Sequence, residues 1–218
     1  MRGVTHALGG AATLAAFTLA TGEAVPAWGY GLAALAALVP DADNGRGSIL
    51  NRPHLLPAKL MTVPVWYGAS HRGRSHSLAG TAIFLAVLAA WAWAAGWAAA
   101  WAHVPNPFAN PVPLLVAGGL GYLSHIVLDL FNQKDEQLLW PLPGGFRSPW
   151  GVSASGTADW LLHGALVVFL CWFGVSWAGA IAHASLADPA TQRLPGFALA
   201  LAGGAITALR GLLGGARG

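Results

Sequence analysis

SLAGTAIFLAVLAAWAWAAGWAAAWA occupies residues 77–102 and contains no charged side chain. A membrane-spanning helix needs about 20 predominantly apolar residues to cross a hydrocarbon core of about 30 Å, and this run exceeds that length. It reads as a transmembrane helix, which makes the bilayer the solvent for the rest of the chain. Composition points the same way: 56% of the 218 residues are hydrophobic and only 9% are charged, and the mean hydropathy is +0.56. A soluble domain carries about 25% charged residues.

Two further runs, residues 111–126 continuing into LDLF and residues 160–182, have similar length and few breaks, and residues 194–213 form a weaker candidate. The first two apolar runs, residues 7–21 and 26–39, are shorter and form either two spans or a re-entrant hairpin. Either way the chain returns to its starting side. The expected architecture is an all-α polytopic bundle of about four to six membrane helices, organised as one membrane-embedded domain over residues 1–218. The single Cys171 lies in an apolar run, so no internal disulfide is possible. Arg2, the apolar stretch after it and GEA at 22–24 have the outline of a signal peptide. The segment is expected to be retained, because His6 belongs to the polar set described below.

If the helices alternate in direction, the amino terminus, the 40–76 connection, the 132–158 connection and the carboxyl end share one side. Every Lys and Arg except Arg193 then falls on that side. The positive-inside rule makes it the cytoplasmic side of a bacterial or archaeal inner membrane. The pI of about 9.5 then reflects topology and attraction to anionic lipid. No aromatic-interleaved basic motif is present, so no nucleic-acid partner is expected; the bilayer itself is the expected partner. Trp28, Trp140, Trp150 and Trp160 stand near run ends, where tryptophan anchors helices at the interface.

Ionisable groups inside membrane segments are costly and mark functional sites. His6 opens the first run, Asp41 and Asp43 in PDAD close the second, and His71 and His76 precede the third. His125 and Asp129 end the fourth, and Asp159 and His163 begin the fifth. With alternating direction all of these map to the same end of the bundle.

In GYLSHIVLDLF, His125 and Asp129 stand at i and i+4, which puts both on one helix face. They can supply two ligands to one ion, a ligand and the acceptor that orients it, or a neutral His–Asp hydrogen bond between helices. In PDAD, Pro40 ends a helix and the two aspartates follow in an extended or turn segment, either facing different partners or solvated. HRGRSHS, residues 71–77, places two imidazoles five residues apart at a helix start, where Ser75 or Ser77 can act as N-cap. Arg72 and Arg74 can hold a phosphate or carboxylate there, or simply follow the positive-inside rule. Asp159 and His163 repeat the i, i+4 spacing, with Asp159 also suited to a helix N-terminus. His54, His103, His183, Glu23 and Asp188 fall away from this set.

Carboxylates with imidazoles and no cysteine suit zinc, with manganese or iron as competitors. The candidates outnumber the ligands of one ion, so about two or three ions fit. Such a centre activates water and clamps phosphoester oxygens. HExxH, G-x-S-x-G and Walker patterns are all missing, which argues against zinc peptidase, serine hydrolase and nucleotide-driven chemistry.

The motif order resembles that of the YdjM-like family of inner-membrane proteins, described as LexA-regulated, membrane-bound, metal-dependent hydrolases. The resemblance is carried by His6, LVPDAD at 38–43, SHRGRSHSL at 70–78, GYLSHIVLDLF at 121–131 and LLWPL at 138–142. It covers most of the first 160 residues and not the carboxyl-terminal fifth. The family has an acidic residue after a glycine beyond LLWP; Asp159 in GTAD stands there, as Asp where Glu is expected. NQKDEQ precedes LLWP, leaving Asp135 and Glu136 as solvated charges or extra ligands.

The resemblance implies a helical membrane protein with a metal-dependent hydrolase site, distantly akin to zinc-dependent phospholipase C and P1 nuclease. Carried onto this chain, the implied metal ligands are His6, Asp41, Asp43, His71, His76, His125, Asp129 and Asp159. Arg72 and Arg74 are then substrate-binding residues, and Asp41 or Asp159 is a candidate general base. The expected reaction is hydrolysis of a phosphoester or ester in a lipid or lipid-linked substrate. The competing readings are an ion- or proton-coupled transporter, which needs polar groups through the membrane's depth, and a membrane protein stapled by a structural metal.

Overall fold

The structure, a computed structural model, describes residues 1–44, 48–68, 72–149, 151–153 and 156–187, with side chains through 178. His71 and the run 194–213 lie outside the described residues. The chain divides into two compact units, Met1–Leu170 and Cys171–Gly218. The first carries everything that follows; the described part of the second continues a helix to Ala187.

The described residues form an all-α fold with no strand. In chain order its helices are α1 (Gly3–Thr21), α2 (Ala27–Ala36), α3 (Leu56–Met61), α4 (Val63–Trp66), α5 (Leu78–Trp101), α6 (Val112–Leu130) and α7 (Thr157–Ala187). Among the described residues four segments are long and apolar enough to cross a membrane: Gly3–Thr21, Leu78–Trp101, Val112–Leu130 and Thr157–Ala178. The 24 residues of α5 reach about 36 Å at 1.5 Å per residue. Its outer tryptophans, Trp93, Trp97 and Trp101, are exposed, as lipid-facing side chains are.

The two short runs at the amino end are thereby distinguished. α1 is a candidate span, whereas the ten residues of α2 give only about 15 Å of helix. Gly22 makes the reversal between them: its φ of 72° is the left-handed cap conformation, and its N–H donates to the Thr18 carbonyl at 2.9 Å.

α1, α2 and α6 pack through their smallest residues. Ala33, fully buried on α2, presents its carbonyl to Gly10 on α1 and to Gly121 on α6, and a Cβ at either glycine would collide with it. Lipid tails are as apolar as leucine, so close backbone packing of this kind replaces hydrophobic collapse as the cohesive force. Leu14, Val25 and Ala117 close one side of this contact. A second apolar cluster, built on Leu38, Leu50, Val65, Phe84, Tyr122 and Ile126, lies behind the loop end of α2.

That end carries the structure's non-helical connections. Pro40–Asp43 is a single 3-10 turn and Arg74–His76 another. Ser77 caps α5 by accepting from Gly80 N–H at 3.0 Å, an interaction that contributes about 1 kcal/mol. Between α6 and α7 the chain folds back on itself, with isolated bridges pairing Asn132 with Val152 and Glu136 with Phe146.

Candidate metal centre

Five polar side chains meet where α1 begins, α2 ends, α5 is capped and α6 finishes. His76 Nε2 lies 3.5 Å from Asp41 Oδ1 and 3.7 Å from Asp129 Oδ2. His125 Nε2 lies 3.4 Å from Asp129 Oδ2 and 4.0 Å from Asp41 Oδ1. One ligand atom from each of Asp41, His76, His125 and Asp129 falls within 4.8 Å of all the others. His6 completes the group from α1: its ring stacks on His125 with centroids 3.9 Å apart, and its Nε2 lies 3.1 Å from Asp129 Oδ1.

Each position is set by local structure. The i, i+4 spacing on α6 carries His125 and Asp129 to one face, both buried, so Asp129 does not turn out toward water. The 3-10 turn before Ser77 delivers His76 inward. Tyr122 on α6 fixes that turn by donating its hydroxyl to the Ser75 carbonyl. Of the extended and turn conformations open to the PDAD segment, the structure adopts a 3-10 turn, which Pro40 at its first position favours. Both aspartates consequently address one imidazole: Asp41 faces Nε2 of His76, while Asp43 Oδ2 lies 3.8 Å from Nδ1. Ser75 Oγ donates to the same Asp43 oxygen at 2.6 Å.

The outer partners fit a metal-binding set. His125 Nδ1 lies 2.7 Å from the Ala37 carbonyl; donating its N–H there leaves Nε2 as the lone-pair nitrogen, buried and without a hydrogen bond. Asn132 donates to Asp129 Oδ1. A ligating imidazole oriented by a carbonyl and a ligating carboxylate held by an amide are the supports metal sites use. Burial lowers the pKa of His76, and Asp41 only partly offsets this, so the ring favours its neutral, ligating form. Burial also opposes ionisation of Asp41, but the His76 hydrogen bond first, and then the other imidazoles around it, outweigh burial and hold the carboxyl below the usual range.

A polar cavity of about 440 Å³ opens beside the group, lined among others by His6, Asp41 and Asp129 and by Arg2, Arg72 and Lys134. The two arginines expected to act together part company here. Arg72, at a left-handed φ of 66°, lines the cavity and donates to Glu136, whereas Arg74 donates to the Tyr67 carbonyl at 2.6 Å and lies over Trp140. Burial first, and then the charge of Asp129, raise the pKa of Glu136 to about 8 against the opposing pull of Arg72. Asp135, by contrast, is exposed and paired with Arg147.

Asp159 is not brought into the ligand group. It is buried in the first turn of α7, accepts from Arg2 Nε at 2.6 Å, and so holds a residue of the cavity wall. His163 lies edge-on to Trp160. Arg2, Asn132 and Tyr122 were not singled out as site residues, and Ser75, a candidate N-cap in the sequence, instead holds Asp43. For Asn132 a signal existed, since it lies three residues beyond Asp129; for Arg2 there was none beyond its charge.

An all-α, multi-pass membrane protein with a buried His/Asp centre at one end of its bundle is the class these features define. The chain belongs to the YdjM inner membrane protein family, whose sequence model matches residues 1–188. It is 32% identical over 141 residues to "Inner membrane protein YdjM" of Escherichia coli (strain K12), a match covering 64% of this chain and 63% of that protein. The Shigella flexneri protein of the same name gives the same figures. The match thus spans less than two thirds of these relatives' length. No solved structure matches the chain. Family and apolar helices together make this a multi-pass inner-membrane protein.

Proposed function

We propose that the chain is a membrane-bound, metal-dependent hydrolase that cleaves a phosphoester or ester in a lipid or lipid-linked substrate, with its site at the cytoplasmic face. The observation that carries this reading is the convergence of Asp41, His76, His125 and Asp129 within 4.8 Å at the edge of a cavity that also holds cationic side chains. The Lys/Arg asymmetry of the connections supports the cytoplasmic orientation.

His76 and His125 would hold the ion through Nε2, and Asp41 and Asp129 through carboxylate oxygens; His6 and Asp43 are the nearest further donors. Imidazole with carboxylate suits zinc, and manganese or iron after it. A divalent ion there supplies Lewis-acid polarisation and a water acidic enough to react at neutral pH. Among the chain's own groups, Asp41 is the least buried of the four ligands and is positioned to accept a proton from the cavity side. Asn132 and Ala37 keep Asp129 and His125 in register, and Arg72 offers positive charge to an anionic substrate. The ionisable groups gather at one end of the bundle, which favours a site over a transmembrane ion pathway.

The test is elemental analysis of detergent-purified protein beside an Asp129→Ala/His76→Ala double variant, followed by assay of phospholipid and phosphodiester hydrolysis. Bound metal that is lost in the variant, together with turnover that follows the metal, supports the reading. Protein that holds no metal and takes up none from added zinc, manganese or iron overturns it, and ion-coupled transport becomes the better account.

A further inference from the structure

One opening is lined by His6 and Asp129 themselves, and a second begins about one helical turn from them. On the loop side lies the polar cavity, whose wall carries Arg2, Arg72 and Lys134. Toward the membrane lies a second opening of about 420 Å³, walled by Gly9, Thr13, Leu123, Leu128, Leu166 and Phe169 from α1, α6 and the first half of α7. Gly9 is three residues from His6 and Leu128 is the neighbour of Asp129, so this groove begins about one helical turn, some 5 Å, below the ligand group. Its walls are almost wholly apolar, and all three helices are long and apolar enough to span a membrane. Acyl chains are therefore the solvent at its mouth.

The cavity above has the complementary character. Arg2 is held in place from two directions: Nε donates to Asp159 at 2.6 Å, and the guanidinium lies 3.5 Å over the Trp160 ring. Its Nη2 is buried and makes no hydrogen bond. A guanidinium fixed in orientation with one donor unused is arranged to receive an anion. Arg72 and Lys134 add positive charge on the same wall, while Asp41 and Asp129 are committed to the ligand group.

We propose that groove and cavity form one binding site for an anionic glycerophospholipid drawn sideways from the bilayer. Its headgroup phosphate lies against Arg2 and Arg72, and one acyl chain occupies the slot between α1, α6 and α7. Asp159 and Trp160 are positioning residues that hold Arg2. The proposal rests on the hydrolase reading only for the fate of the bound lipid; binding itself requires no turnover.

Native mass spectrometry of the full-length, detergent-purified chain tests this, with dioleoyl phosphatidylglycerol, dioleoyl phosphatidylcholine and dihexanoyl phosphatidylglycerol as probes. The expected result is a preference for the anionic long-chain lipid. Ala16→Trp, which fills an exposed position of the groove wall, weakens that lipid by about tenfold and leaves the short-chain lipid unchanged. Val127→Trp does the same from the opposite wall, so misfolding of one variant does not decide the matter. Arg2→Gln removes the preference for the anionic headgroup. Equal binding of the two headgroups, or long-chain binding untouched by both tryptophans, overturns the proposal. Metal content measured on the same samples separates the two readings: groove-dependent lipid binding without metal sinks the hydrolase alone, and metal without it sinks the lipid site alone.

Discussion

His125 donates its Nδ1–H to the carbonyl of Ala37 across 2.7 Å, tying the last turns of α6 to the residue at which α2 stops. A helix too short to cross the bilayer thus sets the tautomer of a ring in the candidate metal centre. Any change that displaces α2 from α6 moves this acceptor, and Gly121, one turn before His125, is the position where the two backbones meet.

Gly121→Ala is accordingly expected to destabilise the fold by roughly 1–3 kcal/mol, the cost of overpacking a tight contact, and to reduce metal uptake. Gly164→Ala, on the open side of α7 where a Cβ meets nothing within 4 Å, is the matched control and is expected to be neutral. Thermal unfolding in detergent with metal titration checks both. Equal behaviour of the two variants would refute the packing argument.

Asn132→Ala leaves every proposed ligand in place and removes the amide that donates to Asp129 Oδ1 and accepts from the Met1 amino group at 2.9 Å. Loss of such an outer partner costs about 10- to 100-fold in metal affinity. Calorimetric titration with zinc measures it; an unchanged affinity means that Asn132 does not orient Asp129.

His76 gives a pH dependence of known sign. Burial lowers its pKa from the ordinary 6.5, so at this ring the folded chain binds fewer protons than the unfolded chain. The stability it contributes is present above the ordinary value and is lost as pH falls through and below it. In metal-free protein, acidification from about pH 7 to about pH 5 should lower the thermal midpoint less in His76→Gln than in wild type.

Glu136 acts in the opposite sense. Burial and the Asp129 charge raise its pKa from 4.5 to about 8, so the folded chain binds the extra proton, and stability from this group declines as pH rises from 4.5 through about 8. Glu136→Gln should flatten that alkaline decline, as read from midpoints across the same range. A wild-type decline that persists unchanged in the variant assigns it elsewhere.

The spans were legible because a charge-free run longer than the hydrocarbon core has only one stable reading, and α5 meets it outright. Residues 26–39 were ambiguous because hydropathy does not report where a helix winds; Pro40 and the PDAD turn end it short of a span. Asp41, His76, His125 and Asp129 could be gathered by reasoning that alternating helices bring one end together. What local pattern could not reveal is long-range pairing. The Arg2–Asp159 contact joins residues 157 apart, so Arg2 read as one more topology charge and Asp159 as one more ligand. Glu136 sat among solvated charges, with nothing in NQKDEQ to show that Arg72 would bury it.

The carbonyl of Ala33, clasped between Gly10 and Gly121, has a consequence for biogenesis. Helices enter the membrane in chain order, and α2 lacks the length to be held there by the bilayer alone. Its second clasp belongs to α6, which begins at Val112. A nascent chain interrupted before that point carries the PDAD turn and the capped HRGRSHS segment, but neither the Ala37 latch nor two of the four converging ligands. The four-residue group is therefore complete only once α6 has been inserted, so an ion held by it would be taken up after that step.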